Sequence, residues 1–323
     1  MCTCLTIKNR DFYAGRNLDL DLGVNEMFIV TPRNYPFNLR KEKILRTHYA
    51  IYGMGTVIDN YPLYFDAANE EGLYMAGLRF NEEIKSHKLM EDKINLAQFE
   101  LIPFLLGTAK NVKEARKMLE RINLIELNFN KKVSSSRLHY LITDKKECIV
   151  IESGENGINI YDNPLGVLTN SPNFPYHLEN VRNYLNITSN YASPRFAKNL
   201  NLGFFSTGAG TYSLPGDLTS PSRFVRALFY KNNIILEPGE DKTINSIFKI
   251  FDSVSFINGS ALCLSNNYEK TIYTGLINLD KNIYYYKTYD NSNISMLELR
   301  NYDIHDNKLI VIPLNREFKI YRH

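Results

Sequence analysis

The chain has 323 residues, 44% of them hydrophobic, and a formal net charge of +3 from 38 basic and 35 acidic residues, which suits one large globular domain or two small ones. Acidic and basic residues are mixed along the whole length, so no basic stripe argues for nucleic acid and no charged tail for a membrane surface. No apolar run approaches the roughly 18 residues that span a bilayer, and the first residues lack the basic stretch and long apolar run of a signal peptide; a cytoplasmic protein is expected.

In chain order, short β-rich runs come first. Strands are predicted over 3–8 and 12–16, a hairpin around Asn9-Arg10-Asp11, then over 27–31, 49–54, 63–67 and 73–78, with Asn69-Glu70-Glu71-Gly72 as the last turn. An apolar stretch over 94–106 reads as a buried helix stopped by Gly107. Asn111, with Glu114 three residues on, reads as the cap of a second helix whose apolar set is Val112, Ala115, Met118, Leu119 and Ile122. Strands are expected again over 138–143, 148–152, 158–161 and 166–169. Helices follow over 176–185, 221–231 and 244–256, with Ser220 before Pro221 capping the second and Thr243 the third. The C-terminal part returns to strands over 271–277, 283–289 and 309–314, with Asp280-Lys281-Asn282 as a hairpin turn. Strands bracket helices without βαβ alternation, so the fold class is α+β with antiparallel sheets. There is no clear domain boundary, and 1–323 reads as one domain. The loop over 186–216, rich in Asn, Ser and Gly, reads as a contact or substrate element.

Cys2, Cys4, Cys148 and Cys263 are too few and scattered for a disulfide framework, and neither C-x-x-C nor H-E-x-x-H occurs, so no metal and no cofactor are expected. Cys2 directly follows the initiator Met. Removal of Met1 would put a thiol and a free α-amine on one residue, and an α-amine titrating near 7.7–8.0 can take the thiol proton at neutral pH. The alternative is a small buried residue opening a strand. Arg16 and Asp19 lie where the hairpin returns to the Cys2 end. There a guanidinium would favour thiolate and a carboxylate would orient the amine; as an isolated pair they would be an ordinary solvated ion pair.

Met1-Cys2-Thr3 with Gly15-Arg16-Asn17-Leu18-Asp19 resembles the start of the choloylglycine hydrolase family, which contains bile salt hydrolases and penicillin V acylases. Gly53-Met54-Gly55-Thr56, Tyr61-Pro62, Asn69-Glu70-Glu71-Gly72-Leu73, Ala76-Gly77-Leu78, Val167-Leu168-Thr169-Asn170-Ser171-Pro172, Leu214-Pro215-Gly216-Asp217 and Ser220-Pro221-Ser222-Arg223-Phe224 resemble family segments in the same order. The resemblance implies a four-layer αββα sandwich of the N-terminal-nucleophile hydrolases. It also implies roles: Cys2 as nucleophile and base, Asp19 on the α-amine, Arg16 beside the thiol, Asn170 in the oxyanion hole and Arg223 steadying the charges. Read by itself, Asn170 before Ser171-Pro172 is either an Asx-turn residue or a donor projecting from a strand end. Arg223, in a first helical turn where a cation opposes the dipole, either seeks a partner outside the helix or is a surface residue.

Where family members carry Asn or Tyr after Ala-Gly-Leu, this chain has Arg79. Its backbone N–H is implied in the oxyanion hole, and its side chain borders the substrate, where it could meet the anionic end of a glycine or taurine conjugate or turn to solvent. The resemblance leans toward a hydrolase of conjugated bile salts, with Leu18, Ile58 and Phe65 as apolar substrate contacts; penicillin V or another N-acyl amide is the alternative substrate, and a homotetramer the implied assembly. A reading from another class is a noncatalytic binding or redox protein using Cys2 and Cys4, which retention of Met1 would favour.

Overall fold

The computed structural model describes every residue except 82–86, 192–196, 198, 201, 204, 321 and 323. In chain order the strands are β1 (Cys2–Lys8), β2 (Phe12–Leu20), β3 (Met27–Thr31), β4 (Ile51–Ile58), β5 (Tyr61–Asn69), β6 (Tyr74–Arg79), β7 (Ile94–Ala97), β8 (Ile122–Ile125), β9 (Leu138–Thr143), β10 (Cys148–Gly154), β11 (Gly157–Asp162), β12 (Val167–Leu168), β13 (Lys270–Asn278), β14 (Ile283–Thr288), β15 (Ser295–Glu298) and β16 (Ile310–Pro313). Helices α1 (Leu101–Thr108) and α2 (Val112–Leu119) fall between β7 and β8; α3 (Phe174–Asn180), α4 (Ser220–Asn233) and α5 (Glu240–Asp252) fall between β12 and β13.

The strands build two antiparallel sheets, in the orders β12-β1-β2-β13-β14-β15 and β11-β10-β9-β6-β5-β4-β3-β16. β1, β2 and β13 are buried along nearly their whole length, as strands covered on both faces must be. One core fills the space between the sheets and under α4 and α5; the second lies between the outer face of the eight-stranded sheet and α1 and α2. This is the αββα sandwich. Among the described residues no helix is long and apolar enough to cross a membrane.

Four expectations are corrected. The run over 94–106 is not one helix: Ile94–Ala97 pairs in parallel with Ile122–Ile125, and the Asn123 side chain donates to the Asn95 side chain at 2.8 Å. The apolar run hid this change, because a buried strand and a buried helix look alike without periodicity. Ile122, counted with the second helix, therefore belongs to β8, while Asn111 does cap α2 by accepting from the Glu114 N–H at 2.9 Å. Ser220 is inside α4 rather than its cap; Asp217 holds that helix start by accepting from the Thr219 N–H (2.9 Å) and the Ser222 hydroxyl (2.6 Å). Thr243 likewise sits within α5, its hydroxyl bonded back to the Gly239 carbonyl at 2.9 Å. Strand β15 has no counterpart in the expectations. Of the loop over 186–216, residues 192–196, 198, 201 and 204 lie outside the described residues, and the rest includes a 3₁₀ turn at Ala209–Thr211.

Candidate active site around Cys2

The β1–β2 register sets Cys2 opposite Leu18 and Cys4 opposite Arg16. With a side-chain period of two, these four side chains share the face turned toward the second sheet. Arg16 is fully buried. Its Nη2 donates to Cys2 Sγ at 2.6 Å, and its Nη1 donates to the carbonyls of Phe65 (2.8 Å) and Gly77 (2.7 Å) on β5 and β6. One guanidinium thus ties the sheets together and fixes a positive charge on the sulfur. Burial works against that charge, but Cys2, Tyr273, Cys4 and Asp66 around it outweigh burial and hold Arg16 well above its ordinary pKa. Cys4 is a buried thiol pushed up by burial, so it is a poor nucleophile.

Asp19 is also fully buried, and burial raises its carboxyl pKa although the N-terminal ammonium, Arg223, the Thr271 hydroxyl and Arg16 oppose the shift. Its Oδ1 accepts from the Thr271 hydroxyl at 2.6 Å, while Oδ2 has no hydrogen-bond partner among the described residues. A buried carboxylate oxygen without a donor is costly. The Met1 ammonium heads the interactions opposing that shift, ahead of Arg223.

Asn170 lies just beyond β12 and meets the Cys2 end across 168 residues of sequence. Its Oδ1 accepts from the Cys2 backbone nitrogen and from Arg223 Nη2, both at 2.8 Å, and its Nδ2 donates to the Arg79 carbonyl at 2.8 Å. That donation uses one of two N–H bonds. The backbone of Asn170 is clamped as well, by the Ser220 hydroxyl and by His177 Nε2, each at 2.8 Å. Arg223, buried in the first turn of α4, donates from Nη1 to the Cys2 carbonyl and to Thr3 Oγ1, both at 2.6 Å. Burial lowers its pKa to about 10, still far above neutrality.

Arg79 closes β6 with an exposed side chain whose Nε donates to Asn81 Oδ1 at 3.1 Å. The Phe80 N–H donates to the Arg137 carbonyl on the β9 side. By antiparallel alternation the Arg79 N–H then points the other way, past the end of the β5–β6 ladder at the Asp66–Ala76 pair. It is aimed at neither neighbouring strand.

The structure therefore brings together Cys2, Arg16, Asp19, Asn170, Arg223 and the Arg79 backbone. The proposed apolar contacts divide. Leu18 is buried in the inter-sheet core opposite Cys2, and Phe65 packs on that same core, whereas Ile58 packs against the outer core with α1 and α2. Ser220, His177, Thr271 and Thr3 support the site and were not singled out from sequence. Ser220 had the appearance of a cap, and nothing local marks the other three.

A sequence model of linear amide C–N hydrolases, choloylglycine hydrolase family, matches residues 2–312. The chain belongs to the choloylglycine hydrolase family. It is an amide hydrolase, and Cys2, the nucleophile candidate, opens β1. Its relatives include a bile salt hydrolase/transferase of Lactiplantibacillus plantarum, 43% identical with 99% of each chain covered, and one of Clostridium perfringens, 31% identical over 99% of each. A solved mutant of the conjugated bile acid hydrolase from Clostridium perfringens superposes with a TM-score of 0.93 at 31% identity, covering 100% of this chain and 99% of that one. Penicillin V acylase from Agrobacterium tumefaciens, with a TM-score of 0.77, 20% identity and coverage of 97% and 92%, shares the fold.

Acid should loosen this family member at His177. Burial holds its imidazole down to about 4 from an ordinary 6.5, as a neutral ring donating from Nε2 to the Asn170 carbonyl. The unfolded chain takes up the proton as pH falls through 6.5 and the folded chain only near 4, so stability present above 6.5 is lost across that window, by about 3 kcal/mol. Urea midpoints measured from pH 7 to 4.5 should fall steeply for the parent and less for His177→Gln; parallel curves would contradict the assignment.

Proposed function

We propose that the chain hydrolyses the amide bond of glycine- or taurine-conjugated bile salts, with Cys2 as the N-terminal nucleophile after loss of Met1. The observation that carries the reading is the double grip on Cys2: Arg16 Nη2 on its sulfur at 2.6 Å and Asn170 Oδ1 on its nitrogen at 2.8 Å. The 43% identity to a bile salt hydrolase/transferase supports the substrate class. A cytoplasmic setting, in keeping with four free cysteines, belongs to the same reading. The exposed Leu202, Phe205 and Tyr212 of the 186–216 loop support its use in assembling a homotetramer.

The chemistry follows from the grip. The Cys2 α-amine, oriented by Asp19 Oδ2 and Asn170 Oδ1, takes the thiol proton, and the thiolate beside Arg16 attacks the amide carbonyl carbon. The oxyanion is held by the second Nδ2–H of Asn170 and the Arg79 N–H. Collapse breaks the C–N bond as the α-ammonium returns its proton to the leaving nitrogen, which leaves a thioester. Water then gives its proton to the α-amine, adds to the thioester and releases the bile acid with the thiol restored.

The test has two parts. Intact mass should show a chain shorter by Met1, and release of glycine or taurine from glycocholate and taurocholate should far exceed release of 6-aminopenicillanic acid from penicillin V. No turnover of either conjugate would overturn the substrate assignment. Burial lowers the Met1 ammonium below its ordinary 8.0. The Cys2 amine that processing would expose lies one residue further into the same buried end, on Asn170 Oδ1, where desolvation acts in the same direction, and the base must be neutral to act. kcat/KM should therefore rise with pH through a midpoint below 8.0; a midpoint at or above it would contradict the α-amine as base.

A further inference from the structure

Met1 occupies a cup that its loss would leave standing. Its nitrogen donates to the Asp19 carbonyl at 2.7 Å and ion-pairs with the Glu269 carboxylate, and its carbonyl accepts from the Asp19 N–H at 3.0 Å. Met1 thus lengthens β1 by one residue along β2, and a buried acid closes the ammonium end. Glu269 is only 7% exposed. Among the described residues its other side-chain hydrogen-bond contact is the Cys263 thiol at 3.9 Å, a weak donor. A buried carboxylate left with so little would pay the full penalty of desolvation.

The Asp19 N–H and carbonyl do not depend on Met1 for their place, and the Glu269 backbone does not either. Asp19 is held by the β2–β13 ladder and by Thr271, and the Glu269 N–H is bonded to the Ala261 carbonyl at 2.9 Å. Processing therefore leaves a donor, an acceptor and a carboxylate that held one amino-acid unit. A free acid, no longer bonded to Cys2 through a C–N bond of about 1.33 Å, takes the same groups from a position set back so that its oxygen meets that nitrogen at about 2.8 Å. At the far end it adds the new α-ammonium of Cys2.

We propose that the processed enzyme binds a free L-α-amino acid in this cup: the ammonium on Glu269 and the Asp19 carbonyl, the carboxylate on the Asp19 N–H and the Cys2 α-ammonium. This rests on the loss of Met1 set out above. The added oxygen of a free carboxylate pairs with the charge that processing creates. The Met1 side chain is only about a quarter exposed, so the site reads the side chain and the handedness as well as the backbone unit. An occupant pins the Cys2 amine in its protonated form, which cannot take the thiol proton, so occupancy slows hydrolysis.

The experiment titrates the mature full-length enzyme, its N-terminus checked by intact mass, with L-methionine, D-methionine and N-acetyl-L-methionine, reading hydrolysis rate and thermal midpoint. L-Methionine is expected to lower kcat and raise the midpoint saturably in the millimolar range, while the D-form and the acetylated form, which has no ammonium, do neither. Glu269→Gln should raise the half-effect concentration about tenfold, the loss of one charge-assisted contact. Equal responses to all three compounds, or no saturable response to L-methionine, overturn the subsite even if that variant does not fold. Retained Met1 on an active enzyme overturns both the subsite and the processed nucleophile, whereas a processed chain that ignores L-methionine overturns the subsite alone.

Discussion

Cys2→Ala is expected to lower kcat on conjugated bile salts by at least about 10⁴-fold, because loss of a nucleophile leaves only binding and oxyanion stabilisation to act on the amide. Neither Cys4 nor Cys148 can replace it. Cys4 points from the same face but is fully buried, with its thiol pushed up by burial, and Cys148 is pushed up to about 12. The variant should still fold. Its side chain loses one atom, and the Arg16 guanidinium keeps the Phe65 and Gly77 carbonyls, although Nη2 loses its sulfur at about 1–3 kcal/mol. Rates measured beside an unfolding curve would separate the two effects. A Cys2→Ala enzyme with more than a hundredth of parental kcat would end the thiol mechanism.

What could be read from sequence was the local part. The β1–β2 hairpin puts Cys2, Arg16 and Asp19 within one turn of each other along the chain, so their meeting follows from strand periodicity and a turn. Asn170 and Arg223 reach Cys2 across 168 and 221 residues, and no spacing in the chain encodes such a meeting; their roles came only with the family resemblance. Thr271 and Glu269 were invisible because the register of β13 on β2 is a property of the folded sheet, including its irregularity between Thr271 and Tyr273. Ser220 misled for a physical reason: a Ser before Pro at a helix start is the usual cap, yet here the hydroxyl reaches across to the Asn170 backbone. The fold's layering was legible as antiparallel α+β, and the sandwich became specific through the two separate cores on either side of the eight-stranded sheet.

Asn170→Ala should lower kcat by about 10² to 10³-fold from loss of an oxyanion donor alone. A further decline follows, because Asn170 Oδ1 is also the acceptor for the Cys2 nitrogen and for Arg223 Nη2. The two contributions can be divided by Asn170→Asp. An aspartate keeps both acceptor contacts and adds attraction for the α-ammonium and Arg223, but its ionised carboxylate offers no N–H to the oxyanion and places negative charge beside it. If the amide acts chiefly as a donor, the aspartate variant is as slow as the alanine variant or slower, with its pH–rate midpoint moved upward by the added charge near the amine. If Asn170 serves mainly to hold Cys2 and Arg223 in place, the aspartate variant recovers most of the parental kcat. Single-turnover rates on glycocholate across pH 5 to 9 distinguish these outcomes, and the proposed oxyanion hole requires the first.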